Sequence, residues 1–133
     1  ERYGGFSEAA PWLSMSARFR KEITVEAQQK DKDSILAFYK KLIAMRKTYP
    51  VIAEGGISFL ETGTDMVLAY QRILGEQQLV VLCNLDGKRQ TIKTSGQWKD
   101  FKVLLENYEG REMVLEEGTF TMEPYGFMVL ISK

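Results

Sequence analysis

Two runs of sequence decide the fold: Met66-Val67-Leu68-Ala69-Tyr70-Gln71-Arg72-Ile73-Leu74 and Gln78-Leu79-Val80-Val81-Leu82-Cys83-Asn84-Leu85, joined by Gly75-Glu76-Gln77. Both are rich in β-branched, aromatic and aliphatic residues, and the glycine between them marks a reversal, so they read as paired antiparallel strands. In the first run Met66, Leu68, Tyr70 and Arg72 alternate with Val67, Ala69 and Gln71, which puts larger side chains on each face and suggests a sandwich. Leu79 to Leu82 is apolar on both faces and should be a central strand.

The same pattern extends outward on both sides. Further strands are expected at Gly56 to Glu61, Gln90 to Lys93, Val103 to Asn107, Met113 to Leu115, Gly118 to Met122 and Gly126 to Ile131. That makes five to eight antiparallel strands, with turns at Thr62-Gly63-Thr64-Asp65, Gly75-Glu76-Gln77, Asp86-Gly87 and Glu109-Gly110. Upstream of Pro50 the period changes to three or four: Ile35, Phe38, Tyr39, Leu42, Met45 and Tyr49, widened by Leu36 and Ile43. This predicts one amphipathic α-helix over Ser34 to Thr48, with Asp33 as N-cap, basic residues toward its C-terminal half and Pro50 as its stop. Glu1 to Lys32 has scattered aromatics (Tyr3, Phe6, Trp12, Phe19) and no sustained period, so an irregular arm is expected there.

The predicted fold class is therefore mostly β, an antiparallel β-sandwich over 51–133 preceded, over 1–50, by the arm and the helix. With 133 residues there is room for one domain, or one domain carrying an extra arm. The 44% hydrophobic content gives enough apolar side chains for a core without staples.

Charge narrows the partners. Eighteen basic residues balance 18 acidic ones, which argues against nucleic acid and against a membrane surface. There is no apolar run of membrane-spanning length. The single cysteine, Cys83, favours a reducing compartment, and with no apolar leader after Glu1 and Arg2 a cytoplasmic piece of a longer protein is expected.

Candidate chemistry is sparse. The chain has no histidine, which removes the commonest acid/base group and every imidazole metal site. A carboxylate pair could act on a glycoside if both faced one cleft, but Glu22 with Glu26, Asp31 with Asp33, and Glu116 with Glu117 read as solvated charges in loops or turns. Cys83 sits in an apolar run with no base to make a thiolate, so it reads as a packed core thiol. Arg18-Phe19-Arg20-Lys21 is a short basic loop. Trp12, Trp98 and the tyrosines could stack on sugar rings, although packing is the simpler use of single aromatics. Gly4-Gly5 lacks the spacing of a phosphate loop. No catalytic, cofactor-binding or metal-ligating residue is expected within the chain.

Several motifs bear a resemblance. Gly5-Phe6-Ser7, Pro11-Trp12-Leu13, Ile23-Thr24-Val25-Glu26, Asp33-Ser34-Ile35-Leu36 and Phe38-Tyr39-Lys40-Lys41-Leu42-Ile43 through Arg46-Lys47 follow one another in the order and spacing of a known pattern. It is similar to the last catalytic-barrel segment of α-glucosidases of the oligo-1,6-glucosidase type, in glycoside hydrolase family 13, the α-amylase superfamily. Asp65 to Arg72, Val80 to Leu85 and Pro124-Tyr125-Gly126-Phe127-Met128-Val129-Leu130 resemble the C-terminal β-sandwich of the same enzymes. Three departures leave the subfamily and linkage preference open: Gly4 for the usual Ala, Thr24 for Asn, and Ser14 to Phe19 for the Asn-Pro-Asn-Tyr segment.

The resemblance implies a parent enzyme that cleaves terminal α-glucosidic bonds, α-1,6 bonds in short oligosaccharides among them, by a retaining double displacement. It implies that the catalytic carboxylates and the Asn-His-Asp motif of the family lie upstream. The natural partner of the chain is then the parent's catalytic (β/α)8 barrel. Two other classes stay open: a carbohydrate-binding module with Trp98 and tyrosines in an exposed row, and an unrelated interaction domain. The apolar stripe Ile35, Phe38, Leu42 and Met45 needs cover, expected either from the arm or from self-association through Ser34–Thr48.

Overall fold

The computed structural model describes residues 3, 7–13, 24–94, 97–108 and 118–133. The predicted strand Met113 to Leu115, the turn Glu109-Gly110, the basic run Arg18 to Lys21 and the glutamates Glu22, Glu116 and Glu117 lie outside the described residues. The chain divides into two units, Glu1–Thr48 and Tyr49–Lys133.

In the first unit the expectation of an irregular arm through Lys32 needs correction. Residues Val25–Lys30 form a six-residue helix, α1, started by Thr24, whose Oγ1 accepts from the Ala27 N–H at 3.2 Å. A helix of under two turns is too short to write a 3.6-residue period into the sequence. The second helix, α2 (Ile35–Thr48), matches the predicted helix except at its cap. Ser34, not Asp33, holds the N-terminus: its Oγ accepts from the Ala37 N–H at 3.2 Å, and Gln28 Oε1 accepts from the Leu36 N–H at 2.9 Å. The Ser34 hydroxyl proton faces two carbonyls, Gln28 O and Asp31 O, each at 2.7 Å. Asp33 instead gives its own N–H to the Asp31 carboxylate at 2.9 Å, a turn that places it one residue too early to cap. No residue of α2 is buried, and Ile35 and Tyr39 of its stripe are exposed.

In the second unit the strands fall close to expectation. They are β1 (Gly56–Phe59), β2 (Val67–Leu74), β3 (Gln77–Asn84), β4 (Gln90–Lys93), β5 (Lys102–Glu106), β6 (Thr119–Met122) and β7 (Phe127–Ile131). Five make an antiparallel sheet in the order β1-β2-β3-β7-β5, and β4 pairs with β6 in a second sheet. The central strand is β3, as the two-sided apolar run Leu79 to Leu82 demands. It pairs with β2 across a two-residue loop, Gly75-Glu76, in the register Leu74 to Gln77. Gly75 has φ +60°, the left-handed first position of a tight hairpin turn, where a side chain would be strained.

Alternation along the strands builds two faces. The inner face of the large sheet offers Val67, Ala69, Val80, Leu82, Met128 and Leu130, and meets Ile92, Phe120 and Met122 of the small sheet to form the main core. A 3-10 turn at Gln97–Asp100, absent from the predicted elements, brings Trp98 into that core. Burying a side chain such as Leu82 contributes about 2 to 3 kcal/mol.

The outer face holds a smaller core of Val51, Leu79 and Ile131. Val51 comes from α3 (Val51–Glu54), a one-turn helix ahead of the first strand that is absent from the predicted elements. Pro50 occupies its N-cap, a place where a missing N–H is harmless. The Arg72 guanidinium donates through Nη2 to Gly55 O at 2.6 Å, fastening the end of α3 to β2. Gly55 leaves no room for a side chain, since a Cβ there would lie 2.6 Å from Val51 O.

Candidate functional site

Candidate site residues can be located one by one, and they do not converge. Glu26 is paired with Lys30 of the same helix at 2.9 Å, both exposed. The hydrogen bond from Lys30, and then its charge, hold the Glu26 carboxyl below the usual glutamate range. Such a group stays ionised and cannot serve as a general acid near neutral pH. Asp31 and Asp33 are exposed around the turn that begins α2. Among the described residues no group of three His, Cys, Asp or Glu side chains is placed to hold a metal ion.

Cys83 is half-buried on the outer face, and burial pushes its thiol up from the ordinary value of 9.0. It therefore stays protonated at neutral pH, the opposite of an activated nucleophile. Tyr70 shares that face, and its hydroxyl is pushed up chiefly by burial and then by the neighbouring Cys83 thiolate.

Trp98 is 5% exposed and cannot stack on a sugar, so the exposed aromatic row imagined for a carbohydrate-binding module loses its central member. Trp12 behaves in the opposite way to the packing expected of it, at 92% exposed. Tyr108 and Tyr125 are exposed near the β6–β7 turn, but their loop is a clamp. Asn84, buried on β3, donates to Lys88 O and Glu123 O at 2.8 Å each and accepts from the Asp86 N–H at 2.9 Å. Asn107 donates to Tyr125 O at 2.9 Å and accepts from the Phe127 N–H at 2.8 Å, while the Tyr108 hydroxyl donates to Pro124 O at 2.7 Å. Tyr125 is held at φ +53°, a left-handed conformation costing about 1 to 3 kcal/mol that these bonds offset.

A cleft of about 370 Å³ runs along the β1–β2 connection, lined by Phe59, Glu61, Thr62, Asp65 and Leu68 among others. Its lining contains no Lys, Arg or Cys to complement the two carboxylates. What sequence reasoning missed is the state of the outer sheet face, where Ile57 and Phe59 are 59% and 74% exposed. The signal was present in the alternate positions of β1, β2 and β3, which are apolar on that side apart from Arg72 and Gln77.

With the geometry in place, comparison with known proteins supplies the lineage. The family model of the α-amylase catalytic domain matches residues 1–55, and the model of the α-amylase SusG C-terminal domain matches residues 67–129. This chain belongs to the α-amylase family, glycoside hydrolase family 13. An oligo-1,6-glucosidase of Halalkalibacterium halodurans is 30% identical over 99% of the chain and 24% of its own length. A trehalose-6-phosphate hydrolase of Bacillus subtilis is 33% identical over 95% of the chain and 22% of its own length. The crystal structure of trehalose-6-phosphate hydrolase from Bacillus licheniformis superposes with a TM-score of 0.77 at 29% identity, covering 100% of this chain and 24% of that one. The chain thus spans about a quarter of the length of the relatives it matches. The mostly antiparallel β architecture is that of the family's C-terminal β-sandwich. Among the described residues no helix is long and apolar enough to cross a membrane.

Proposed function

We propose that this chain is the C-terminal part of a retaining α-glucosidase that hydrolyses terminal α-glucosidic bonds, α-1,6 bonds in particular, in short oligosaccharides. Residues 1–50 complete the catalytic (β/α)8 barrel, and residues 51–133 form a structural sandwich that braces it. The observation that carries this reading is the succession within one chain of a catalytic-domain match over 1–55 and a C-terminal-domain match over 67–129. The relatives' names supply the substrate class: oligo-1,6-glucosidase and trehalose-6-phosphate hydrolase. The scattered carboxylates support the other half of the reading, in which the acid, the nucleophile and any metal or cofactor site belong to the barrel upstream. Glu26, tied to Lys30, and Cys83, held protonated, have no role in bond cleavage. The lone half-buried thiol suits a reducing, cytoplasmic setting.

The test is hydrolysis of isomaltose, maltose, trehalose 6-phosphate and an aryl α-glucoside, by the 133-residue chain and by the full polypeptide that carries it. The full polypeptide should release glucose fastest from isomaltose, with retained anomeric configuration, and the 133-residue chain should release none. Turnover by the chain alone, or a full polypeptide inert toward all four glucosides, refutes the proposal.

A further inference from the structure

The turn between β6 and β7 holds a residue poorly suited to its geometry. Glu123-Pro124-Tyr125-Gly126 closes through the Gly126 N–H, which donates to Glu123 O at 3.0 Å, so Pro124 and Tyr125 are its central residues. Tyr125 takes the second central place at φ +53°, a left-handed conformation where glycine is at home and any side chain is strained. Burial does not compensate, because Tyr125 is 67% exposed. The ring is nonetheless fixed in direction. It lies along the β3–β4 loop, where a Cβ on Gly87 would stand 3.1 Å from the Tyr125 hydroxyl oxygen. The backbone is held on both sides of the ring: the Tyr125 N–H donates to Asp86 O at 3.0 Å, and the Tyr125 carbonyl accepts from the Asn107 amide at 2.9 Å. Tyr108, 39% exposed, joins the same turn through its hydroxyl, which donates to Pro124 O at 2.7 Å. A strained residue kept where it gains little packing, with its ring aimed at solvent, marks a contact site.

Local charge indicates what the ring would contact. Around the turn the cations Lys88 and Arg89 are matched by the carboxylates Asp86 and Glu123, with Arg89 Nε 3.0 Å from Glu123 Oε2. Asp86 accepts from the Gln90 amide at 2.8 Å. An anion or a cation finds no net field there. A protein partner needs far more apolar surface than two tyrosines supply. What remains open is an aromatic face, a phenolic hydroxyl and a rim of polar groups, and this suits a neutral sugar: the apolar face of a pyranose stacks on the ring while its hydroxyls meet the rim. We infer that Tyr125, with Tyr108 beside it, forms a surface subsite for a neutral oligosaccharide. The choice of α-glucosides as its ligands rests on the proposed function; the geometry of the subsite does not.

The experiment is an amide NMR titration of the 133-residue chain with isomaltotriose and, separately, with inorganic phosphate. Isomaltotriose should shift the Gly87, Tyr125 and Gly126 amides with one millimolar dissociation constant, and phosphate should shift none of them. Tyr125→Gly should weaken binding about tenfold or more, whereas Tyr125→Phe, which keeps the ring, should weaken it less. Glycine also relieves the positive φ, so the melting temperature of Tyr125→Gly should be unchanged within about 2 °C or higher. A clear fall in that temperature would make the ring a structural cap and overturn the inference. So would silence of the three amides toward isomaltotriose, shifts that survive Tyr125→Gly, or a response of the same amides to phosphate. Hydrolysis of isomaltose by the full polypeptide keeps the two proposals apart: an active enzyme whose three amides ignore isomaltotriose removes only the subsite, and an inactive one whose amides respond removes only the glucosidase.

Discussion

The two units treat the same kind of residue in opposite ways. In Tyr49–Lys133 the apolar side chains of β2, β3, β4, β6 and β7 close on one another, and Val80, Leu82, Ile92 and Leu130 lose all contact with water. In Glu1–Thr48 the only residue buried among those described is Ser34, a polar cap, although half of the 14 residues of α2 are large and apolar. Periodicity therefore states which side of an element is apolar and leaves open what covers it. A sandwich makes its own cover because it has two sheets. One amphipathic helix beside a six-residue helix cannot, and a stripe that stays open in the isolated chain is what a piece of a larger packed body looks like.

Substitution in the core of the second unit should give the largest effect. Leu82→Ala removes a fully buried side chain from the middle strand and should destabilise that unit by about 3 to 5 kcal/mol in urea unfolding. Leu42→Ala in α2 should cost under about 1 kcal/mol by the same measurement, because its side chain is not buried. Equal losses at the two sites would erase the contrast between the units.

A smaller effect tests whether the clamp, and not only the apolar core, orders the second unit. Asn84 is buried and its amide makes three hydrogen bonds to the loops at 86–88 and 123. Asn84→Ala removes the side-chain partner of Lys88 O and of the Asp86 N–H and leaves Glu123 O with the Gly126 N–H alone, and should destabilise by about 2 to 3 kcal/mol. The loss should appear in amide exchange first at Asp86, and next at Tyr125, whose N–H donates to Asp86 O. Exchange that speeds up equally throughout the sheet would show that the clamp has no local role.

The extent to which these features are legible in the sequence follows from their physical origin. Strand positions and the centrality of β3 came through because alternation and a two-sided apolar run are written directly in the side chains. Helix α3 and the 3-10 turn at Gln97–Asp100 did not, since four residues are too few to carry a period and their conformation is set by what Val51 and Trp98 pack against. The N-cap was misplaced by one residue because Asp33 and Ser34 are both good caps, and only the Asp31 turn decides between them. For the site, the absence of histidine and the isolation of Cys83 were readable at once. The fate of Trp98 was not, because a single tryptophan has the same sequence signature whether it fills a core or faces a ligand.

The N-cap supplies the next step down in size and the sharpest check on the first unit. Ser34→Ala removes the bond to the Ala37 N–H and should lower the stability of α2 by about 1 kcal/mol, seen as faster amide exchange at Leu36 and Ala37. Asp33→Ala should be nearly silent there. The reverse order would reinstate Asp33 as the cap.

The smallest effect concerns pH and the outer face. Cys83 and Tyr70 both have their proton affinities raised by burial, so each favours its neutral form in the folded chain more than in the unfolded one. A group raised in this way contributes stability that is fully present below its unfolded value and is lost as pH rises through its folded value. Stability of the second unit should therefore hold level up to about pH 9, the ordinary thiol value, and decline above it. Cys83→Ala should flatten the first part of that decline, and Tyr70→Phe the part above pH 10, where an ordinary tyrosine hydroxyl ionises. The two changes should combine by less than their sum, because the Cys83 charge is itself one cause of the Tyr70 shift. An alkaline limb that neither substitution changes would mean that Cys83 and Tyr70 ionise alike in the folded and unfolded chain, and burial on the outer face would then not be what holds their protons.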